Sequence, residues 1–189
     1  VKLDSGVLCA VKVMKKTLDH AQWTIEGRRE LHFLCKVSHP NVVQLLSVRH
    51  TKFDIQLMMP LYDCDLRTHI RKCTLSATSA KQISADLCSA VKAIHGLAIL
   101  HRDIKPANVL VRCQPLAAVL SDFGCSVSLP CPKILTSEVC TLWYRAPEIM
   151  TAKSSYSFPS DVWSVGTVPY THPTLPTIQS VYNSVAVLP

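Results

Sequence analysis

The octapeptide His101-Arg102-Asp103-Ile104-Lys105-Pro106-Ala107-Asn108, followed fourteen positions on by Asp122-Phe123-Gly124, constrains this 189-residue chain more than any other feature. Within one short stretch it places a carboxylate able to accept a proton (Asp103), a cation (Lys105) and two side chains whose oxygens suit a small hard metal ion (Asn108 and Asp122). Five fixed residue types at fixed spacing arise by chance at a given position with a probability on the order of 10⁻⁷, so an accidental match in a chain of this length is improbable. The competing explanation is that both aspartates serve turns, which they favour. It does not account for the two of them together in this setting.

Further blocks stand in order along the chain. Ala10-Val11-Lys12, Arg29-Glu30-Leu31 and His39-Pro40-Asn41-Val42-Val43 come before the octapeptide. Ala146-Pro147-Glu148 and Asp161-Val162-Trp163-Ser164-Val165-Gly166 come after Asp122-Phe123-Gly124. In type and order these resemble the motifs of the protein kinases. The resemblance implies a two-lobed α+β fold, with a small β-rich lobe over residues 1–62 and a mainly helical lobe over 63–166.

Both ends depart from the family pattern. The glycine-rich loop should precede Lys12 by one hairpin, yet only Gly6 lies upstream, in the turn expected there. After Gly166 the family continues in helices, whereas Pro169, Pro173 and Pro176 fall within eight residues and would break them. We therefore expect a small lobe lacking its glycine-rich hairpin, a large lobe truncated after Gly166, and a tail over 167–189 unlike a kinase. The first residue is valine rather than methionine, which again suggests a fragment.

Composition narrows the function classes. Hydrophobic residues make up 48% and charged residues 17%, a globular rather than a disordered balance. The net charge of +7 comes from scattered basic residues (Lys15-Lys16, Arg28-Arg29, Arg71-Lys72) without a long run or interleaved aromatics, so no nucleic-acid partner is expected. No apolar run approaches the ~20 residues of a membrane span, and no membrane partner is expected. Nine cysteines, an odd number, include no C-x-x-C pair. Most fall on apolar stretches, where a free thiol behaves as a small hydrophobe. An intracellular, reducing location, cytoplasmic or nuclear, fits that usage. Cys125 is read as a packed loop residue in preference to a reactive thiol.

The run Val7 to Met14 carries one lysine among apolar residues, as a buried strand would. Leu31, Leu34 and Cys35 repeat at helical spacing, with Pro40 ending the element. Val42-Val43 and Ile55 to Met59 read as strands. Ser79 can cap a helix that places Ile83, Leu87, Val91 and Ile94 on one face and ends at Gly96. The lobe boundary falls near Leu61 to Asp65.

A lysine among apolar residues needs an anion, and Glu30 is the candidate partner of Lys12; the alternative is a strand-edge lysine with its head in water. The resemblance implies that Lys12 holds ATP phosphates and Glu30 holds Lys12. By the same resemblance Asp103 is the catalytic base, Lys105 neutralises the transferring phosphoryl, and Asn108 and Asp122 ligate Mg2+. Ala10 and Leu110 would sandwich adenine. Met59 would be the gatekeeper, Pro60 would offer its carbonyl to adenine and Tyr62 its N–H. Leu34, Leu45, His101 and Phe123 would stack as an internal spine, or simply pack as core. Arg102 would clamp a phosphate on the activation loop, where Thr136 is the expected phosphosite and Thr141 the structural threonine. Asp161 would brace the octapeptide by accepting backbone N–H groups.

Two functions follow from this reading. One is an ATP- and Mg2+-dependent serine/threonine kinase resembling the cyclin-dependent and MAP-kinase group, acting on a protein substrate, with an upstream kinase or regulatory subunit as partner. Residues 23–29 do not spell a cyclin-contacting helix. The other is a truncated, weakly active or inactive kinase-like protein that acts as a binding or dominant-negative partner. The missing loop and later helices favour the second for the isolated chain.

Overall fold

The apolar run around Lys12 forms a strand, β1 (Cys9–Lys15), in the computed structural model of the chain, which describes residues 8–15, 24–130, 142–150 and 157–168. After it come α1 (Ile25–Leu34), β2 (Ser47–His50), β3 (Asp54–Pro60), β4 (Cys64–Asp65), α2 (Leu66–Lys72) and α3 (Ala77–Gly96). The order then runs β5 (Ile99–Leu100), β6 (Val109–Cys113), β7 (Leu116–Leu120), β8 (Val127–Ser128), α4 (Pro147–Met150) and α5 (Phe158–Thr167). The architecture is α+β and two-lobed, as the sequence implied. A three-stranded sheet in the order β1-β3-β2 carries α1, and the helical part holds the β4-β6-β7 sheet and the β5-β8 pair.

β1 differs from the expected buried strand. Cys9 is buried, but Val13 is half exposed. Among the described residues β1 pairs with β3 alone, so it forms an edge. The central strand β3 takes the burial instead, with Ile55, Leu57 and Met58 inside. Val42-Val43 is not a strand. Val42 makes a single parallel bridge to Leu120, and Val43 N–H donates to Leu120 O at 2.9 Å. Both valines are buried by that contact, which two residues can make without a ladder.

The helices begin and end differently from the sequence expectation. Thr24 Oγ1 caps α1 by accepting from Gly27 N–H at 3.1 Å. The helix stops at Leu34 and Cys35 is exposed, well short of Pro40. Lys36 and Val37 N–H both donate to Phe33 O, which tightens the last turn and turns Val37 inward. α3 is capped by Ser76, whose Oγ accepts from Ser79 N–H at 3.0 Å. Ser79 is thus the third helical residue and the donor of the cap bond, not the cap. The apolar face of α3 is as expected, with Ile83, Leu87, Val91 and Ile94 all buried, and it packs on β7. One core cluster runs from Phe33 and Leu34 through Leu57 and Leu87 to Val109, Leu120 and Phe123, joining the two parts. Among the described residues no helix is long and apolar enough to cross a membrane.

Gly6, Thr136, Thr141 and the tail beyond Val168 lie outside the described residues.

Candidate active site

Two ladders place the two key loops side by side. Leu100 in β5 pairs with Val127 in β8, and Val109 in β6 pairs with Leu120 in β7. Residues 101–108 and 121–126 are therefore facing arcs clamped at both ends, and their side chains converge although the motifs are separate in sequence.

Asp161, at the start of α5 and 1% exposed, anchors the first arc. It accepts His101 N–H at 2.8 Å and Arg102 N–H at 2.9 Å, one on each carboxylate oxygen, and His95 Nε2–H at 2.9 Å. This is the bracing geometry expected of Asp161. Arg102 sits at φ 70° and Asp122 at φ 65°, so both loops bend through left-handed backbone at these positions. Arg102 Nε donates to Cys125 O at 2.6 Å, a bond that ties the two arcs directly.

His101 is fully buried. Its Nε2–H donates to Ser121 O at 3.0 Å, while its Nδ1 accepts Asp103 N–H at 3.3 Å. Those partners suit a single neutral tautomer. Burial pushes the imidazole pKa below its ordinary value, against the opposing pull of Asp161. The ring packs edge-on to Phe123 at 5.0 Å. Phe123 and Leu34 belong to the core cluster and Leu45 packs against it.

Asp103, Lys105 and Asn108 form a local constellation. Lys105 Nζ donates to Asp103 Oδ2 at 2.7 Å. Asn108 Nδ2 donates to the same oxygen at 2.9 Å and to Asp103 O at 2.8 Å. Neither side-chain bond uses Asp103 Oδ1. The Asn108 amide nitrogen is thereby committed, so its Oδ1 is the atom that can face a cation. Ser121 contributes from the other arc, its N–H and hydroxyl both donating to Asn108 O.

A second constellation spans the lobes. Lys12 Nζ lies 2.8 Å and 2.7 Å from the two oxygens of Glu30 and 3.0 Å from Asp122 Oδ1. Although β1 is an edge among the described residues, the Lys12 head is paired with carboxylates and not left in water. Glu30 is buried where α1 packs on the Phe123–Cys125 turn and approaches Met14 at the end of β1. A Cβ on Gly27 would meet Met14 Sδ at 3.0 Å and the capping Thr24 Oγ1 at 3.2 Å, so a glycine suits that approach. Burial disfavours the Lys12 ammonium, but Glu30 and Asp122 outweigh it and raise its pKa. Burial pushes the Glu30 carboxyl up against the pull of Lys12. Burial acts the same way on Asp122, but there Lys12 prevails and the carboxyl is held below its ordinary value.

The apolar candidates occupy the strands around these groups. Ala10 lies opposite Met59, and Pro60 ends β3 opposite Cys9. Tyr62 follows in the short link to β4, half-buried, with the Arg112 guanidinium 5.8 Å from its ring centroid. Burial pushes the Tyr62 hydroxyl pKa up, with Arg112 opposing. Leu110 lies in β6, opposite Asp65 and Val119.

Sequence reasoning missed His95, Ser121 and the Arg102–Cys125 bond. His95 is 66 residues from Asp161, and nothing in the spacing of α3 marks it.

The sequence matches the protein kinase domain family over residues 1–180, and the chain belongs to that family. Within that family its motifs resemble those of the cyclin-dependent and MAP-kinase group. A protein named as a probable cell division protein kinase of Encephalitozoon cuniculi (strain GB-M1) is 36% identical to it over 143 residues, 75% of this chain. The matched stretch spans 53% of that relative's length.

Proposed function

We propose that the chain carries the catalytic residues of a serine/threonine protein kinase that transfers the γ-phosphoryl group of ATP to protein hydroxyls with Mg2+. The observation that carries this reading is the position of Lys12 Nζ, held at once by Glu30 and Asp122. It joins the strand lysine, the helix glutamate and the aspartate of the second loop in one charged cluster.

In this reading Lys12 receives the α- and β-phosphates and Glu30 keeps its ammonium in place. Asp103 accepts the proton of the attacking hydroxyl through Oδ1 while Asn108 and Lys105 fix its other oxygen. Lys105 then neutralises charge on the transferring group, and a lysine at this position supports a serine or threonine acceptor. Asn108 Oδ1 and the Asp122 carboxylate are hard oxygen donors that fit Mg2+. Bound there, the ion would neutralise phosphate charge. Adenine would lie between Ala10 and Leu110, near Met59, meeting the Pro60 carbonyl and Tyr62 N–H. A protein substrate, an upstream kinase acting on Thr136 and a regulatory subunit belong to the same reading. So does an intracellular setting, supported by seven cysteines that are all free among the described residues.

The test is transfer of radiolabel from ATP to a generic basic protein by the purified chain, run beside Asp103→Asn. A positioned general base contributes about 10²–10⁴-fold, so the variant should lose that much turnover. Equal turnover in both, or none from folded wild-type chain, would overturn the reading.

A further inference from the structure

Although most cysteines fall on apolar stretches of sequence, few of the described ones are packed as small hydrophobes. Among the described residues only Cys9 and Cys88 are buried, whereas Cys35, Cys73 and Cys113 are exposed and Cys64 is half-buried. Cys113 has company. Its Sγ lies 3.8 Å from His69 Nδ1. With the Cys64 thiol the three ligand atoms all lie within 4.8 Å of one another.

The fold explains the meeting. Cys64 opens β4 directly opposite Val111 of β6, and Cys113 stands two residues further along β6. Alternate residues of a strand share a face, so both thiols project from the same side of the sheet. Asp65 caps α2 by accepting Thr68 N–H at 2.8 Å, and this starts the helix at once after β4. The turn carries His69 back over that face. Asp63 accepts Cys113 N–H at 2.7 Å and fixes the backbone of the third member.

We propose that Cys64, His69 and Cys113 bind a thiophilic metal ion, of which Zn2+ is the natural test. In a tetrahedral zinc centre, bond lengths of about 2.3 Å to sulfur and 2.0–2.1 Å to nitrogen separate ligand atoms by about 3.6–3.8 Å. The Cys113–His69 separation already matches, and the longest edge need close by only about 1 Å. Two thiolates and an imidazole select zinc or another soft cation over Mg2+. Exposure of Cys113 leaves room for a water as fourth ligand. The ion would tie β4, α2 and the end of β6 together, immediately after Tyr62. The proposal stands apart from the phosphotransfer reading, since none of its three residues takes part there.

The test uses the whole chain, purified and kept reduced. Zn2+ is titrated against a chromophoric chelator, and Co2+ is titrated to read thiolate-to-metal charge-transfer absorption. We expect one tight site per chain. Cys64→Ser and Cys113→Ser should each weaken it on the order of 100-fold, while Cys35→Ser and Cys73→Ser leave it unchanged. A second arm needs no variant: Zn2+ should protect Cys64 and Cys113 of the wild-type chain from alkylation and leave Cys35 and Cys73 labelled. Absence of uptake by the folded chain, unchanged affinity in Cys64→Ser and Cys113→Ser, or protection falling on other cysteines would overturn the proposal.

Discussion

The two charged clusters of the candidate active site are built in different ways. Asp103, Lys105 and Asn108 sit in one loop clamped at both ends by strand pairing, and their bonds span two to five residues. Lys12, Glu30 and Asp122 come from a strand, a helix and a separate loop, with separations of 18 and 110 residues. The first cluster is therefore as rigid as its ladders. The second exists only while α1 lies against β1 and the lobes keep their distance. Burial differs as well: Glu30 is almost fully covered, but the Lys12 and Asp122 side chains are 38% and 42% exposed. Exposed pairs contribute little to stability, so the Lys12–Asp122 contact should hold the fold less firmly than the bonds within the first loop.

The contrast can be broken most strongly at Asp161. Replacing it with alanine leaves two buried backbone N–H groups of the first loop without their acceptor. At about 1–3 kcal/mol for each group, Asp161→Ala should cost roughly 2–6 kcal/mol in denaturant unfolding. A loss below ~1 kcal/mol would mean that the ladders alone hold the loop.

Glu30→Gln probes the other cluster with a smaller expected effect. Lys12 keeps Asp122 but loses its buried anion, and nucleotide affinity should fall about tenfold. That follows from a charge-assisted bond discounted for the exposure of Lys12. The unfolding midpoint should hardly move. A large stability loss with unchanged affinity would reverse the assignment of the two clusters.

The smallest effect concerns pH. His101 is held neutral by burial, so its folded pKa lies below that of the unfolded chain, near 6.5. Protons then bind preferentially to the unfolded state as pH falls below ~6.5. The stability linked to His101 is present above that pH and declines below it, and His101→Gln should flatten the slope between about pH 6.5 and 5. Identical pH profiles of the two proteins in thermal unfolding would remove His101 from the account.

Much of the first cluster was legible in the sequence because its members lie within a few residues of each other and spacing encodes their geometry. Lys12 and Glu30 were legible through the resemblance, since a lone charge in an apolar run by itself also allowed a strand-edge lysine with its head in water. The face of α3 followed from its period. Elsewhere the local signal misled. Val42-Val43 looked like a strand because apolar pairs bury equally well at a single bridge, and Ser79 looked like a cap because two serines stand three apart. His95 with Asp161, and His69 with Cys113, carry no local signal, since the pairs are 66 and 44 residues apart and only the folded sheets and helices bring them together. Which thiols are covered was not legible for the same reason: an apolar neighbourhood in sequence is not a covered one in space.

The most direct test of the division between the clusters is the affinity of Mg-ATP, measured by titration calorimetry on Lys12→Met and Asp103→Asn. We predict that Lys12→Met loses about tenfold or more in affinity, while Asp103→Asn binds as the wild-type chain does yet transfers no phosphoryl group above ~1% of its rate. Equal losses of binding in the two variants, or full binding by Lys12→Met, would contradict the account.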